Sequence, residues 1–407
     1  GNRAEVQKAL SMSHQIFLGT GHREGFMDRD TFCDLAESVD PGEVERRHAG
    51  TAITDIALMF YTSGTTAMPK GCPLDHIVLQ HAGVVGGTDR LRLVEGDVVW
   101  NPLPMFHSAF TQPLTGTLHV GGTLVSMAHF EPDEALELIT RERVTVAFPA
   151  FPTITLQILH HPHYSADSLS SVRIMLNVGP AEELVAMQAL MPHTTQITCF
   201  GMSECGGSVA MCNPNDPLPL RSECSGSALP GIDIEVRDPE TGKTLAHGEP
   251  GEIVARGRGV FNGYYNDPEK TEAAFWEGGW FRTGDLGVLD AEGRVTFRGR
   301  LKDMLKVGGE NVAAVEIEGY LALHPAVKLA QVVGLPDEKY GEVPVAFVEL
   351  IPGAAATEAE MIDFCLGDIA SFKVPRHVRF VEDWPMGATK ILKSALRERI
   401  LAEIATA

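Results

Sequence analysis

Tyr61-Thr-Ser-Gly-Thr-Thr-Ala-Met-Pro-Lys-Gly71 packs four aliphatic hydroxyls, three glycine or alanine residues and one lysine into eleven positions. The apolar run Ile56 to Phe60 leads straight into it and reads as a buried strand. The stretch itself reads as a loop. Its small residues let the backbone approach a ligand, with amides and hydroxyls turned toward it. Thr62, Ser63, Gly64, Thr65, Thr66 and Lys70 are the candidate contacts, and one positive charge among hydroxyls suits a polyphosphate. It is not a Walker loop, because the lysine precedes Gly71 rather than following a glycine. The bland alternative is a surface loop rich in Ser, Thr and Gly.

Outward from this loop, strand-like and helix-like segments alternate. Apolar runs at Asp97 to Trp100, Thr123 to Met127, Val144 to Phe148 and Ile174 to Val178 alternate with helical patterns at Glu134 to Arg143 and Ala181 to Leu190. That order predicts layered α/β structure. Upstream, residues 1 to 50 are charged and weakly periodic, with one short helix expected near Asp30 to Ser38. Beyond about 225 the pattern turns to short strands between Pro/Gly turns, at Ile232 to Asp238, Gly251 to Gly257 and Arg294 to Arg298. After Gly299-Arg-Leu-Lys-Asp303 comes a compact α+β pattern: helix Ala314 to His324, strands Leu329 to Gly334 and Val343 to Leu350, then helices Glu358 to Ile369 and Ser394 to Ile404. The expected division is therefore 1–301, with a β-rich subdomain at about 225–301, and a smaller α+β domain at 302–407.

The 407 residues include 33 basic and 54 acidic side chains, a net charge of −21. So acidic a chain is a poor nucleic-acid binder. A bound polyphosphate would need local lysines, arginines and a divalent cation. No apolar run approaches the roughly 20 residues of a membrane helix, and no secretory signal is visible. The seven cysteines are scattered without a C-x-x-C pair, which fits reduced thiols in a cytoplasm. His160-His-Pro-His163 reads as a solvated turn in preference to a metal site.

The loop resembles the phosphate loop of the adenylate-forming enzymes, a superfamily of acyl-CoA synthetases, luciferases and peptide-synthetase adenylation domains. Ala67 stands where that family usually has glycine. Further motifs follow in the family's order. Phe200-Gly201-Met202-Ser203-Glu204 resembles its aromatic-Gly-x-Thr-Glu segment, which implies a ring on adenine and a carboxylate for Mg²⁺. Asn177-Val-Gly179-Pro180-Ala181 sits where the family places a small-residue adenine contact. Gly279-Trp-Phe-Arg-Thr-Gly-Asp285 offers a carboxylate for the ribose hydroxyls, and Arg300 resembles the arginine that supports it. The segment Val260 to Thr271 resembles the one leading into that motif. Pro385-Met-Gly-Ala-Thr-Lys390 resembles the C-terminal lysine segment, with Lys390 at the catalytic position and Lys393 as the competing neighbour. Lys302 aligns with the hinge. Lys306, Gly308 and Gly309 resemble the face used in the second half-reaction, which implies a CoA thiol acceptor. His107 matches a position near the acyl substrate, and Phe148-Pro-Ala-Phe151-Pro-Thr153 is expected to line the pocket in which an apolar acid would sit.

The resemblance implies an AMP-forming acyl-CoA synthetase that uses ATP, Mg²⁺ and CoA on a fatty, cyclic or aryl carboxylate. It leaves room for a homodimer. A domain that loads a carrier-protein pantetheine is the alternative within the family. An α/β-hydrolase using Ser203, in the near-elbow Gly201-Met-Ser-Glu-Cys205, is the alternative outside it. The resemblance runs from about residue 52 to the C-terminus, so the family's opening portion is expected to be missing from this chain.

Overall fold

The computed structural model describes residues 16–17, 26–62, 69–386 and 391–405. Two compact units divide the chain, Gly1–Asp55 and Ile56–Ala407. In the first, Asp28 caps helix Arg29–Asp34 by accepting from Thr31 N at 2.8 Å, and a single 3₁₀ turn, Leu35–Ser38, follows. Helix Pro41–Gly50 begins with proline at its first position behind an Asp40 cap.

The second unit is built around a five-stranded parallel sheet. Its spatial order is Thr123–Val125, Val98–Trp100, Val146–Ala150, Ile174–Asn177, Thr195–Ile197. Alternate side chains go to opposite faces, as a strand's period of two requires. Val99, Val146, Phe148, Ile174 and Leu176 pack with Phe110 of helix Ser108–His119. Trp100, Ala147 and Met175 face the helices Pro132–Arg141, Pro152–Leu159 and Ala181–Leu190. A sheet covered on both faces reads as continuous apolar runs, which is why these strands were legible in the sequence.

At the amino ends of three adjacent strands the sheet is tied by charge. Arg173 Nη1 and Nη2 donate to Asp97 Oδ1 and Oδ2, each at 2.7 Å, and Thr145 Oγ1 donates to Asp97 Oδ1 at 2.8 Å. Burial pushes the Asp97 carboxyl up, but these donors outweigh it and hold the group below the usual carboxylate range.

The remaining strands form antiparallel layers. Ile232–Arg237, Gly251–Gly257, Trp280–Leu289 and Phe275–Trp276 make one sheet, with Val295–Arg300 paired to Trp280–Leu289. Cys199–Met202, Gly207–Met211 and Ser227–Ala228 make another. The C-terminal sheet runs Glu310–Ala313, Met304–Val307, Gly341–Leu350, Val327–Asp337, with His377–Phe380 parallel to Gly341–Leu350. Gly308 and Gly309, at φ +61° and +91°, form the two-residue hairpin turn between Met304–Val307 and Glu310–Ala313.

Ile56–Phe60 corrects the sequence reading. The strand exists, as Ile56–Thr62, but only Phe60 is buried and Ile56 is 59% exposed. Among the described residues its strand partner is Lys70–Asp75, in an antiparallel pair that lies outside the parallel sheet. An apolar run by itself reports β propensity, not which layer will cover it.

Candidate active site

The parallel strands carry candidate residues just past their carboxyl ends, where open α/β sheets bind ligands. His107 follows Val98–Trp100 after a short loop and caps helix Ser108–His119, its Nδ1 accepting from Ala109 N at 3.0 Å. Its ring meets Phe151 edge-on at 6.3 Å, directly after strand Val146–Ala150. Phe148 does not share that site: it is 2% exposed, inside the core. Gly179 and Pro180 form the turn from Ile174–Asn177 into Ala181–Leu190. A Cβ on Gly179 would lie 2.6 Å from Pro152 Cγ and 3.2 Å from Glu183 Oε2, so the turn requires glycine for close approach. Glu183 was not singled out in the sequence. Burial raises its carboxyl pKa at this same turn.

After Thr195–Ile197 the chain enters Cys199–Met202, which carries Phe200, Gly201 and Met202. Gly201 lies where a Cβ would meet Gly207 O at 2.2 Å, so this strand and Gly207–Met211 approach closely. Ser203, Glu204 and Cys205 form one 3₁₀ turn between the two strands. A nucleophile elbow needs strand, turn, then helix. Here the turn returns to a strand, which removes the hydrolase reading of Ser203. Phe200 is 6% exposed, and its ring stacks on Phe297 with centroids 6.1 Å apart and planes at 27°. Phe297 was also absent from the sequence reading. It lies about a hundred residues away, and nothing in either segment encodes the pairing.

Thr62 and Lys70 face each other across the antiparallel pair that frames the loop. Ser63, Gly64, Thr65 and Thr66 lie outside the described residues, as does Lys390. The connection thus runs strand to strand, unlike a Walker loop. Lys70 Nζ sits 4.7 Å from the centre of the Tyr264 ring. Tyr264 donates its hydroxyl to Glu204 Oε1 at 3.0 Å. Burial, then the Glu204 charge, pushes the Tyr264 phenol well above its ordinary range, so it remains a donor. Buried Cys72 and Cys205 next to Glu204 are likewise pushed up, first by burial and then by that charge. The neighbouring thiols therefore stay protonated, and a cation here would meet an oxygen donor. That set fits Mg²⁺.

Asp285 and Arg300 come together as a cross-strand pair of Trp280–Leu289 and Val295–Arg300, with Arg300 Nε 2.9 Å from Asp285 Oδ1. Asp285 is 2% exposed. Buried Glu252 holds the turn before it, accepting from Arg282 Nε at 3.0 Å and from Gly284 N at 3.2 Å. A cavity of about 160 Å³ is bordered by Phe297, Arg300, Asp303, Ala314, Glu318 and Lys393.

The C-terminal candidates are more exposed. Lys302 lies in the single turn Leu301–Asp303. Partial burial, with Arg300 and Lys393 nearby, lowers its ammonium pKa. Lys306 is exposed on strand Met304–Val307 beside the Gly308–Gly309 turn. Lys393 pairs with Glu318 Oε1 at 2.6 Å.

The histidine cluster meets Asp133: Asp133, His161 and His163 each present a possible ligand atom, all within 4.8 Å of one another. His161 Nδ1 accepts from His163 N at 3.3 Å, and its Nε2 lies 3.0 Å from Asp133 Oδ1.

The family model for AMP-binding enzymes matches residues 14–265, and the model for the AMP-binding enzyme C-terminal domain matches 316–390. The chain is 35% identical over 389 residues to 3-[(3aS,4S,7aS)-7a-methyl-1,5-dioxo-octahydro-1H-inden-4-yl]propanoyl:CoA ligase of Rhodococcus jostii (strain RHA1), covering 93% of this chain and 72% of that protein. It is 35% identical over 359 residues to 4-coumarate–CoA ligase CCL1 of Humulus lupulus, covering 86% of this chain and 65% of that one. The crystal structure of the anthranilate CoA ligase AuaEII in complex with anthranoyl-AMP matches with a TM-score of 0.84 at 29% identity, covering 99% of this chain and 77% of that one. The chain thus spans 65% to 72% of the length of these two sequence relatives. On the family-model matches and these identities, the chain belongs to the AMP-binding enzyme family, in its AMP-forming acid–CoA ligase branch.

Proposed function

We propose that this chain activates an aryl or cyclic carboxylic acid with ATP and passes the acyl group to CoA, with fatty acids as the alternative substrates. A carboxylate oxygen attacks the α-phosphorus of ATP, the α–β bridge breaks, and pyrophosphate leaves. The CoA thiolate then attacks the acyl carbonyl of the adenylate, and AMP leaves. The observation that carries this reading is the meeting of Lys70, Tyr264 and Glu204 at the end of the hydroxyl-rich loop.

In this reading Thr62, the loop hydroxyls and Lys70 hold the phosphates. Glu204 holds Mg²⁺, which when bound neutralises phosphate charge. Asp285 accepts from the ribose hydroxyls with Arg300 beside it, and Gly179, Pro180 and Phe200 border the purine. Purine contact with the Phe200 ring requires Phe297 to give way, because Phe297 covers one face. Lys390 offsets the repulsion between the carboxylate and phosphate anions as the new bond forms. The pairing of Lys393 with Glu318 supports Lys390 over its neighbour. His107 and Phe151 border an apolar acid, and the names of the relatives point to ring-bearing acids.

Residues 302–407 act as a domain that turns about Lys302 between half-reactions, bringing Lys390 and then the Lys306–Gly309 face to the adenylate. Assembly as a homodimer belongs to the same proposal and is read by sedimentation. So does a cytoplasmic location, which rests on seven free cysteines. Among the described residues no helix is long and apolar enough to cross a membrane.

Carboxylate-dependent ATP–pyrophosphate exchange across aryl, cyclic and fatty acids tests the reaction, and no exchange with any class defeats it. Lys390→Ala is expected to slow adenylation by about 10²–10³ with an unchanged melting curve. Lys302→Pro is expected to retain adenylation but lose roughly tenfold in thioester formation from preformed adenylate, about 1.4 kcal/mol of barrier. A normal thioester rate in that variant removes the pivot.

A further inference from the structure

Tyr264 touches two charged groups of the proposed nucleotide site, Glu204 and Lys70, although it is 60 residues from Glu204 in sequence. Its hydroxyl donates to Glu204 Oε1 at 3.0 Å, and its ring lies 4.7 Å under Lys70 Nζ. The residue is fixed from several directions. Its N donates to Thr271 Oγ1 at 2.9 Å, and its ring meets Phe261 edge-on at 4.9 Å. Gly263 before it has φ +139°, with Thr271 Cγ2 2.4 Å from where a Cβ would stand. The flanking backbone grips the same two elements. Phe261 N donates to Glu204 O at 2.9 Å, and Tyr265 N donates to Gly71 O at 2.9 Å.

The segment Phe261–Tyr265 therefore joins the limb of the phosphate loop to the turn that carries Glu204. We propose that Tyr264 is a positioning residue: one side chain holds the Glu204 carboxylate and the Lys70 ammonium in a fixed relation, so that cation and phosphates meet a preformed unit. This rests on the reading of Glu204 as the cation carboxylate. The two interactions separate chemically. The hydroxyl orients an anion through a charge-assisted hydrogen bond, whereas the ring attracts a cation through its face. Removing the hydroxyl alone should disturb the cation side and spare the phosphate side.

The test is calorimetric titration of ATP onto the full chain over a series of Mg²⁺ concentrations, and in EDTA. Tyr264→Phe keeps the ring on Phe261 and under Lys70, so the fold is retained. It should raise the Mg²⁺ midpoint about tenfold, the scale of a lost hydrogen bond to a charged group, while Mg²⁺-free ATP binding stays within about twofold. Tyr264→Leu should weaken Mg²⁺-free ATP binding as well. Glu204→Gln should raise the midpoint by itself, and adding Tyr264→Phe to it should change nothing further, because the hydroxyl acts through the carboxylate. An unchanged or lower midpoint in Tyr264→Phe, with Glu204→Gln shifted, overturns the positioning role alone. Equal weakening with and without Mg²⁺ also overturns it, since that is general packing. An unshifted midpoint in Glu204→Gln removes the cation reading of Glu204, and the inference falls with it.

Discussion

At the amino ends of three neighbouring parallel strands, Asp97, Thr145 and Arg173 close on one another; beyond the carboxyl ends of the same strands stand His107, Phe151 and Gly179. The first group is a satisfied polar cluster, with the Asp97 carboxylate accepting from guanidinium and hydroxyl at 2.7–2.8 Å. The second has a half-buried imidazole, an aromatic edge and a glycine turn beneath Glu183. Strand polarity explains the difference. Side chains just before a strand can lock onto neighbouring strands at no cost to any site. The connections leaving the carboxyl ends diverge into separate helices and leave room between them. One end should therefore control stability and the other chemistry.

Gly179→Ala is the strongest way to break that comparison. Its Cβ would press on Pro152, and a shift on the order of 1 Å at this turn should cost about 10² in adenylation rate. Stopped-flow pyrophosphate release measures it, and an unchanged rate would show that the carboxyl-end turn is only structural.

Asp97→Asn is the converse. It should lower stability in urea by about 2–3 kcal/mol, toward the low end for a broken buried pair because Arg173 is partly exposed, with kcat/KM unaltered. Because the folded-state pKa of Asp97 is depressed, its contribution is present above the unfolded pKa of about 4 and is lost as pH falls through the folded value. The variant and the wild type should therefore converge in stability only in that acid range. A stability gap that does not narrow as pH falls below the unfolded value would assign the loss to packing.

His107→Ala gives the smallest effect and the sharpest boundary. Losing the cap on helix Ser108–His119 should cost about 1 kcal/mol. If His107 also borders the acid, KM for the carboxylate should rise severalfold while KM for ATP holds. A stability loss with both KM values unchanged would move His107 from the site to the scaffold.

Much of this was legible because it is local. Burial on both faces made strands such as Val146–Ala150 visible as continuous apolar runs, and helix Ala181–Leu190 has the bounds its pattern predicts. The short motifs around Lys70, Glu204, Asp285 and Lys302 could be placed because each is a contiguous run of unusual chemistry. Ile56–Phe60 misled because an apolar run does not state its partners. Gly308–Gly309 carried a bland reason that the motif concealed, a turn that needs positive φ at both positions.

By itself the sequence determined the residue types: which carboxylates, lysines and glycines exist, in what order, and on which kind of element. Only the tertiary structure decided which of them meet. The Tyr264 hydroxyl on Glu204, Phe297 over Phe200, and Arg173 on Asp97 each join segments tens of residues apart. Such contacts are selected by how whole layers pack, through burial and the need of every buried polar group for a partner, and no local pattern records that choice.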